Sequence, residues 1–304
     1  MKKLSGIVVP VVTPLTEDDQ IDTVSLENLV EHCIKGGLQA IYPCGTTGEM
    51  MYLTVEERKI VAETVIRKTA GRVSVYVHVG GWNLKDTVEL AKHAVEAGAD
   101  GIAVVTPSFF KISENGLVDF FVSVAKNVPE DFPVYLYAIP QYAMNDISVA
   151  AAEKAAAQCP NIIGIKYSYP DMTRIQQMMR ISDGTFSVLA GPDQLLTAVV
   201  SMGGDGVVSG SSQVIPEYYE AVWEALEKGD YRLAAERQQL TNRLNEALCS
   251  VNNIAAYKAV LAYQGIIKTK KTRKPLEEYT EQQTRELFTV LKEIVKEKEY
   301  LRYV

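Results

Sequence analysis

The sequence predicts an α/β fold, a (β/α)8 barrel followed by a helical region, and three observations carry this prediction. Eight short runs of apolar, often β-branched residues have the length and composition of buried strands. Segments with apolar residues at helical spacing, such as Leu26, Leu29 and Val30, lie between these runs. One strand and one helix recur about every 25 to 30 residues, so eight units fill roughly the first 225 residues, close to the ~250 of a closed barrel.

The predicted strands follow one another in chain order. They are Ile7–Val12, Leu38–Tyr42, Val73–Val79, Gly101–Thr106, Val134–Ile139, Ile162–Tyr167, Phe186–Ala190 and Gly206–Ser209. Helix starts are marked by Thr54, which forms a Thr-x-x-Glu capping box with Glu57, and by Ser113. A doubly wound open sheet is the alternative fold, but no predicted strand is followed by the Gly-x-Gly-x-x-Gly turn of a dinucleotide-binding sheet.

Only helical patterns follow residue 228. They cover Tyr231–Ser250, Ile254–Tyr263 and Thr280–Glu299. We therefore expect a catalytic barrel over residues 1–228 and a C-terminal helical bundle over residues 229–304. A barrel with three added helices has more apolar surface than one barrel face needs, which predicts an oligomer. The apolar residues in question are Trp223, Leu244, Leu248 and Tyr263.

Composition excludes several classes of partner. With 304 residues, 47% of them apolar, the chain can bury a large core, and its net charge of −7 argues against nucleic acid or an anionic membrane as partner. The one basic cluster, Lys268–Lys274, is interpreted as a solvated connection. No apolar run reaches membrane-spanning length and no leader precedes the first strand, so we expect a cytoplasmic protein. The cysteines lack CxxC spacing and are expected to be reduced thiols; they are Cys33, Cys44, Cys159 and Cys249.

The sixth predicted strand ends on a single cation, Lys166, after the apolar run Ile162–Ile165. An ammonium among apolar neighbours loses hydration, which favours the free amine, and a free amine can attack a carbonyl carbon. A lysine that extends its ammonium to water, or pairs with a carboxylate, is the alternative. Lys166 is therefore a candidate nucleophile that needs supporting groups nearby.

Other polar residues stand at the ends of predicted strands, where a barrel carries its active site. Gly45–Glu49 follows strand two, and its backbone N–H groups and threonine hydroxyls can hold a carboxylate or simply form a tight turn that caps a helix. Tyr137 ends strand five, where its phenol can relay a proton or only pack in the core. Strands seven and eight end in Gly191–Asp193 and Ser209–Ser212, so polar groups collect on one rim.

Four motifs together resemble the dihydrodipicolinate synthase/N-acetylneuraminate lyase family of class I aldolases. They are Gly45–Glu49, Tyr137-x-x-Pro140, Gly164–Lys166 and Gly203–Ser209. The resemblance covers essentially the whole chain, including the helical region. It implies a (β/α)8 fold, usually a homotetramer, in which a lysine forms a Schiff base with pyruvate or another 2-keto acid.

The resemblance also implies roles for individual residues. Lys166 would be the nucleophile and Tyr137 the general acid/base. Thr46 and Thr47, next to Gly45, would form the carboxylate site, and Thr47 also belongs to the expected catalytic set.

No cofactor and no metal are expected, because the covalent imine on Lys166 itself withdraws electrons from the neighbouring carbon. The three histidines form no metal-binding pattern; they are His32, His78 and His93. Of these, His78 ends strand three and is the one that could face the rim.

Three features depart from the synthases of this family. Tyr142 stands where those enzymes carry the Arg that binds the carboxylate of the aldehyde substrate, and Ala138 replaces an Asn. Phe109 and Phe110 lack the hydroxyl that completes the proton relay of the synthases and of the bacterial sialic-acid lyases. These differences argue against the synthase reaction.

The run Pro107–Lys111, the Gly191–Asp193 turn and Gly203–Gly206 are more similar to the 2-keto-3-deoxy sugar-acid aldolases of the family. Binding of a hydroxylated tail would then fall to the rim residues Ser168, Gly191, Asp193, Ser209, Ser211 and Tyr142. We expect a lyase that makes or releases pyruvate, with a 2-keto acid and an aldehyde as its small-molecule partners. A 4-hydroxy-tetrahydrodipicolinate synthase and a non-catalytic barrel that binds a keto acid are the alternatives.

Overall fold

Eight parallel strands close into a barrel in the computed structural model, which describes residues 1–248 and 253–296. Each strand pairs with the next along the chain, and the eighth pairs with the first. The strands are β1 (Gly6–Val9), β2 (Ala40–Ile41), β3 (Ser74–His78), β4 (Gly101–Val105), β5 (Val134–Ala138), β6 (Ile162–Tyr167), β7 (Ser187–Ala190) and β8 (Gly206–Val208). The predicted fold class is confirmed.

The predicted strands all exist, but most end earlier than predicted. β1, for example, ends at Val9, although Val11 and Val12 continue the apolar pattern and are buried. Pairing stops before Pro10, which has no N–H to donate to a neighbouring strand, whereas burial continues at Val11 and Val12. Apolar character therefore predicts burial better than it predicts where a strand ends.

Helices lie between the strands and continue beyond β8. They are α1 (Thr23–Lys35), α2 (Val55–Thr69), α3 (Leu84–Glu96), α4 (Glu114–Ala125), α5 (Pro140–Ala143), α6 (Val149–Gln158), α7 (Met172–Met178), α8 (Ile181–Gly184), α9 (Leu196–Ser201), α10 (Pro216–Glu227), α11 (Tyr231–Leu248), α12 (Asn253–Tyr263) and α13 (Glu281–Lys296). Both predicted caps are present. Thr54 and Glu57 form the reciprocal capping box of α2, and the Ser113 hydroxyl accepts the Gly116 N–H at the start of α4.

The end of the barrel opposite the rim is filled by aromatic side chains. Tyr76 and Tyr135 meet edge to face with ring centroids 5.4 Å apart, and the Tyr135 hydroxyl accepts the Leu4 N–H at 2.9 Å. Glycines make room for these rings, because a Cβ on Gly101 would lie 2.3 Å from Tyr76 Cε1 and one on Gly164 would lie 2.5 Å from Tyr135 Cε1. The barrel interior is therefore a packed core, and only the opposite end is left open for a site.

Within the described part of the chain, three helices follow α10, as predicted, and they pack on the barrel. The same apolar cluster contains Ile7 of β1, Leu261 of α12 and Leu287 of α13. The division at residue 228 remains a prediction, and the predicted helix ends at Ser250 and Glu299 lie outside the described residues.

The basic cluster Lys268–Lys274 is not the solvated connection that its composition predicted. Thr272 is buried, and the Arg273 guanidinium donates to Glu57 at 2.8 Å and to the Asp19 carbonyl at 2.9 Å. The charges of this segment find partners on the barrel, so it lies against the loops of the rim.

No helix in residues 1–248 and 253–296 is long and apolar enough to cross a membrane. The described cysteines Cys33, Cys44 and Cys159 are free and buried, and Cys249 lies outside the described residues.

Candidate active site

A cavity of about 420 Å³ opens at the C-terminal ends of the strands, where the sequence places the site. The sequence-predicted site residues that line it are Thr46, Thr47, Tyr137, Tyr142, Lys166, Ser168, Gly191 and Asp193. Gly45, Ser209 and Ser211 do not line it. Eight of the eleven predicted residues thus come together from β2, β5, β6, β7 and the loops that follow them.

Lys166 projects from β6 into this cavity and is only 6% exposed. Its Nζ lies 4.1 Å from the ring centroid of Tyr137 and 5.1 Å from that of Tyr42. No described carboxylate forms an ion pair with it. The alternatives of a water-exposed or carboxylate-paired lysine therefore do not describe Lys166, whose amine faces two aromatic rings and the cavity.

Tyr137 and Thr46 form a hydrogen-bonded pair beside this amine. The Tyr137 hydroxyl lies 3.1 Å from Thr46 Oγ1, and register across β5 and β6 places Tyr137 directly beside Lys166. Phe109 and Phe110, which lack the hydroxyl that completes the relay of the synthases, are 73% and 71% exposed and do not line the cavity. Thr46 and Tyr137 thus form a hydrogen-bonded pair of hydroxyls beside the amine, and such a pair can move a proton.

The Gly45–Glu49 turn presents the two threonines to the cavity. It is closed by hydrogen bonds from Gly48 N–H to Gly45 C=O at 3.0 Å and from Glu49 N–H to Thr46 C=O at 3.0 Å. Gly45 contributes backbone shape rather than a lining surface, because a Cβ there would lie 2.9 Å from Tyr42 Cε1. The turn therefore places Thr46 and Thr47 at the cavity wall, as the prediction of a carboxylate site requires.

Asp193 is buried at the far wall, where three hydroxyls converge on its Oδ2. Ser209 donates at 2.7 Å and Tyr219 at 2.8 Å, and Ser211 also contacts this oxygen. Burial raises the pKa of Asp193, and the hydrogen bonds from Ser211, Ser209 and Tyr219 oppose that rise.

This network corrects the prediction for the two serines. Ser209 and Ser211 are fully buried and direct their hydroxyls to Asp193, so neither lines the cavity that a substrate tail would enter. They orient Asp193 instead, because a carboxylate oxygen with three donors has little rotational freedom.

Ser168 and Gly191 approach each other closely at the rim. A Cβ on Gly191 would lie 1.8 Å from Ser168 Oγ, so only glycine leaves space for this serine. Ser168 is buried at the wall, whereas Tyr142 lies at the mouth and is 71% exposed. The two residues thus reach different depths of the cavity.

Among the residues that the structure describes, five polar lining residues were not predicted from the sequence. They are Gln141, Gln194, Asn245, Asn253 and Tyr257. The last three belong to α11 and α12, which the sequence marked as an addition to the catalytic barrel. Polar residues in the otherwise apolar α12 were the signal that could have identified two of them.

His78 lies beneath the cavity rather than at the rim. Its Nδ1 is 2.9 Å from the Cys44 carbonyl, and its ring meets that of Tyr137 edge to face at 5.8 Å. Burial and the nearby Arg58 guanidinium lower the pKa of His78 well below its usual value. The imidazole is therefore neutral, and Nδ1 carries the proton that the Cys44 carbonyl accepts.

The family is established by comparison with known proteins. The profile of the dihydrodipicolinate synthetase family matches residues 3–294. The chain is 36% identical over 287 residues to 4-hydroxy-tetrahydrodipicolinate synthase from Aquifex aeolicus, a match that covers 94% of this chain and 96% of that protein. It is also 36% identical over 238 residues to YagE from Escherichia coli K12, named provisionally as a 2-dehydro-3-deoxy-D-gluconate aldolase, with 77% of this chain and 78% of that protein covered.

Solved structures give the same result. The crystal structure of YagE in complex with pyruvate superposes with a TM-score of 0.90 at 31% identity and covers 95% of this chain and 98% of that one. The dihydrodipicolinate synthase of Aquifex aeolicus superposes with a TM-score of 0.89 at 35% identity, with the same coverage. The chain therefore belongs to the dihydrodipicolinate synthetase family and is a lyase, an enzyme that makes or breaks a carbon–carbon or carbon–oxygen bond.

Proposed function

We propose that the chain is a Schiff-base aldolase that uses pyruvate as its keto-acid component and acts on a 2-keto-3-deoxy sugar acid. In the cleavage direction, the Lys166 amine adds to the 2-keto carbon, and loss of water gives a protonated imine. Thr46 and Thr47 would hold the substrate carboxylate by hydrogen bonds. No further group is needed to accept the electron pair of the breaking bond, because the protonated imine nitrogen accepts it.

Bond cleavage then requires a base for the hydroxyl on C4. Tyr137 lies beside Lys166 and shares a hydrogen bond with Thr46. Its phenol donates a proton to the hydroxyl that leaves as water when the imine forms, and the resulting phenolate then takes the proton of the C4 hydroxyl while the C3–C4 bond breaks. The electron pair of the bond passes into the imine, which leaves an enamine and an aldehyde. The Tyr137 phenol then protonates the enamine at C3, and hydrolysis of the imine releases pyruvate and restores the Lys166 amine and the Tyr137 phenol.

The lining of the cavity is the observation that carries the choice of substrate. Among the described lining residues, Lys166 is the one cation, and it is committed to the imine. Apart from Asp193, whose Oδ2 already accepts three hydroxyls, the other polar groups of the described lining carry no charge; they include Ser168, Gln141, Gln194, Asn245, Asn253 and Tyr257. Such a wall can satisfy the hydroxyls of a neutral tail, whereas a second substrate carboxylate would be desolvated without a charged partner.

Relatives support the chemistry without deciding the substrate. The synthase of Aquifex aeolicus and the provisionally named sugar-acid aldolase YagE are equally identical to this chain over their matched lengths. YagE was crystallised in complex with pyruvate, the keto acid that this proposal assigns to the site. The synthase reaction is the alternative, and its aldehyde substrate differs from a sugar aldehyde by carrying a carboxylate.

The first prediction compares the two kinds of aldehyde. With pyruvate as co-substrate, kcat/KM should favour glyceraldehyde over aspartate semialdehyde by at least ~10-fold, the equivalent of about 1.4 kcal/mol in transition-state binding. Tyr142→Arg should narrow that ratio, because it adds a cation at the cavity mouth. Tyr142→Gln is the matched control: it replaces the same phenol by an uncharged polar side chain and should narrow the ratio less than Tyr142→Arg does.

Parallel steady-state assays of the two aldehydes decide between the reactions. If the unmodified protein uses aspartate semialdehyde better than glyceraldehyde, the sugar-acid assignment is wrong and the synthase assignment replaces it. A protein that forms the pyruvate adduct but turns over neither aldehyde, nor any 2-keto-3-deoxy acid of a panel, would instead be a keto-acid-binding barrel.

A further inference from the structure

A buried ion pair outside the cavity joins the Gly45–Glu49 turn to the C-terminal helices. Lys258 of α12 and Glu49 are in contact through Nζ and Oε1, and their side chains are 0% and 1% exposed. Lys258 Nζ also donates to the Lys271 carbonyl at 2.7 Å, and the other Glu49 oxygen, Oε2, accepts the Arg273 N–H at 2.7 Å. Both carboxylate oxygens of Glu49 are thus held by residues beyond the barrel.

The turn itself is under backbone strain. Cys44 and Glu49 flank Gly45–Gly48 and have φ values of 62° and 61°. These values lie in the left-handed region, which is unfavourable for residues other than glycine. Such strain persists where the surrounding structure holds it in place, and it concentrates at functional sites. For Glu49, the surroundings that hold its side chain are Lys258 and the backbone of Arg273.

Stability alone is a weak reason for this arrangement. A buried ion pair often stabilises a fold no better than apolar side chains of the same volume, because both charges lose their hydration. Burial lowers the pKa of Lys258, and Glu49 opposes that shift, which shows both effects at this site. What the pair provides, and an apolar pair does not, is a directional link of fixed length.

The ion pair between Glu49 and Lys258 lies close to the residues that are proposed to bind the substrate. Glu49 is two residues from Thr47 and three from Thr46, whose hydroxyl meets Tyr137. On the other side, Tyr257 lines the cavity next to Lys258, so α12 contacts the site both directly and through Glu49. A shift of the Glu49 side chain therefore moves the carboxylate site and the pair of hydroxyls together.

We propose that Glu49 and Lys258 are positioning residues that set the carboxylate-binding turn over Lys166, so that the C-terminal helices are part of the catalytic unit. The segment Lys268–Arg273 also holds the ion pair in place, because its Lys271 carbonyl accepts from Lys258 and its Arg273 N–H donates to Glu49. The inference rests on the proposed function, since it assumes that Thr46 and Thr47 hold the carboxylate of a keto acid.

The test measures the pyruvate concentration that gives half-maximal borohydride trapping on Lys166. Lys258→Met removes the cation and keeps the length of the side chain, while Glu49→Asp keeps the charge and shortens the link by one methylene. We expect both variants to raise the half-maximal concentration at least about 10-fold, since small displacements of substrate-binding groups have large effects on productive binding. Trapping at saturating pyruvate should still label Lys166, and the double variant Glu49→Gln/Lys258→Met should not restore the wild-type value.

Lys270→Met is the matched control, because Lys270 belongs to the same segment but pairs with the exposed Glu281. It should leave the half-maximal concentration within about 2-fold of the wild-type value, as expected of a surface ion pair. Thermal unfolding identifies variants that are folded at the assay temperature. If Lys258→Met does not fold, Glu49→Asp decides the question, because it keeps the buried charges compensated.

The outcomes separate this inference from the proposed function. Folded Lys258→Met or Glu49→Asp protein that traps pyruvate at the wild-type concentration would show that the ion pair is structural only, while the proposed function stands. Wild-type protein that traps no pyruvate would overturn the proposed function and this inference with it.

Discussion

Lys166 and its immediate neighbours could be predicted from the sequence because each lies at, or just after, the C-terminal end of a strand. Parallel strands bring their C-terminal ends to one rim, so the positions of Thr46, Tyr137 and Lys166 in the chain were enough to place these distant residues together. The hydrogen bonds of the rim residues could be predicted less well from the sequence. Ser209 and Ser211 follow the end of β8, but their hydroxyls hydrogen-bond to Asp193, and the sequence does not show which acceptor a short polar side chain will meet.

Single residues also determine how stability depends on pH, and His78 is the clearest case. Its pKa is lowered in the folded protein by burial and by Arg58, whereas in the unfolded chain a histidine has a pKa of about 6.5. Below that pH the unfolded chain binds a proton that the folded protein does not. The stabilisation is therefore fully present above about pH 6.5 and is lost as the pH falls toward the folded-state pKa of His78.

The second prediction follows from this linkage. Between pH 6.5 and 5.5, the free energy of unfolding should fall by about 1 kcal/mol because of His78 alone. His32, whose pKa is also lowered by burial, should add to the slope. Urea unfolding at the two pH values measures the total, and His78→Asn should reduce the pH-dependent loss by that amount. An unchanged slope in His78→Asn would show that His78 is not the group responsible.

At the level of elements, periodicity and composition predicted the existence of all eight strands and their order, because strand and helix patterns differ in period. The ends of strands were predicted less well, as for β1, because residues beyond the last paired position remain buried under the rim loops. The roles of α11 and α12 at the site were missed for a different reason. Asn245, Asn253 and Tyr257 reach the cavity through long-range packing, and no local pattern encodes such a contact.

The third prediction tests how tightly neighbouring strands fit at the closed end of the barrel. Gly164 of β6 lies opposite Ser187 of β7, and a Cβ on Gly164 would be 2.6 Å from the Ser187 carbonyl oxygen as well as 2.5 Å from Tyr135 Cε1. Backbone atoms cannot move away without breaking the register of the sheet. Gly164→Ala should therefore destabilise the fold by about 2 kcal/mol or more and lower Tm by at least about 4 °C.

Gly81→Ala is the matched control for this substitution. Its added Cβ would lie 3.7 Å from the nearest atoms of Arg58 and Thr87, an ordinary contact distance. It should change Tm little, or raise it slightly, because alanine restricts the unfolded chain. Equal Tm values for Gly164→Ala and the unmodified protein in differential scanning calorimetry would contradict the packing described for β6 and β7.

For the whole molecule, the oligomeric state remains a prediction, and the structure changes the argument for it. Leu244 and Leu248, which the sequence offered as interface residues, are buried within the chain itself. Tyr263 is exposed but its ring lies against Phe288, with centroids 3.9 Å apart. The helices added to the barrel therefore use most of this apolar surface within the chain.

Exposed apolar residues are found instead at the rim. Phe109, Phe110, Tyr142 and Met144 are each more than half exposed, and Phe109 and Phe110 meet edge to face with centroids 5.1 Å apart. Exposed aromatic side chains close together are typical of an association surface. We therefore retain the prediction of an oligomer but expect this rim region to contribute to the interface.

The fourth prediction is that the protein is a homotetramer in solution. Light scattering at micromolar concentration should give four times the chain mass of 33.6 kDa. Exchange of both Phe109 and Phe110 for serine should lower the measured mass or make it depend on concentration. A measured mass of a single chain for the unmodified protein would contradict the prediction.

The central claim is that Lys166 forms an imine with pyruvate, and reductive trapping tests it most directly. Borohydride added with pyruvate should give one stable adduct, and peptide mass mapping should place it on the peptide that contains Lys166. Lys166→Ala and Lys166→Arg should abolish the adduct while circular dichroism shows an intact fold. An adduct on a different lysine, or none on the folded wild-type protein, would contradict the account.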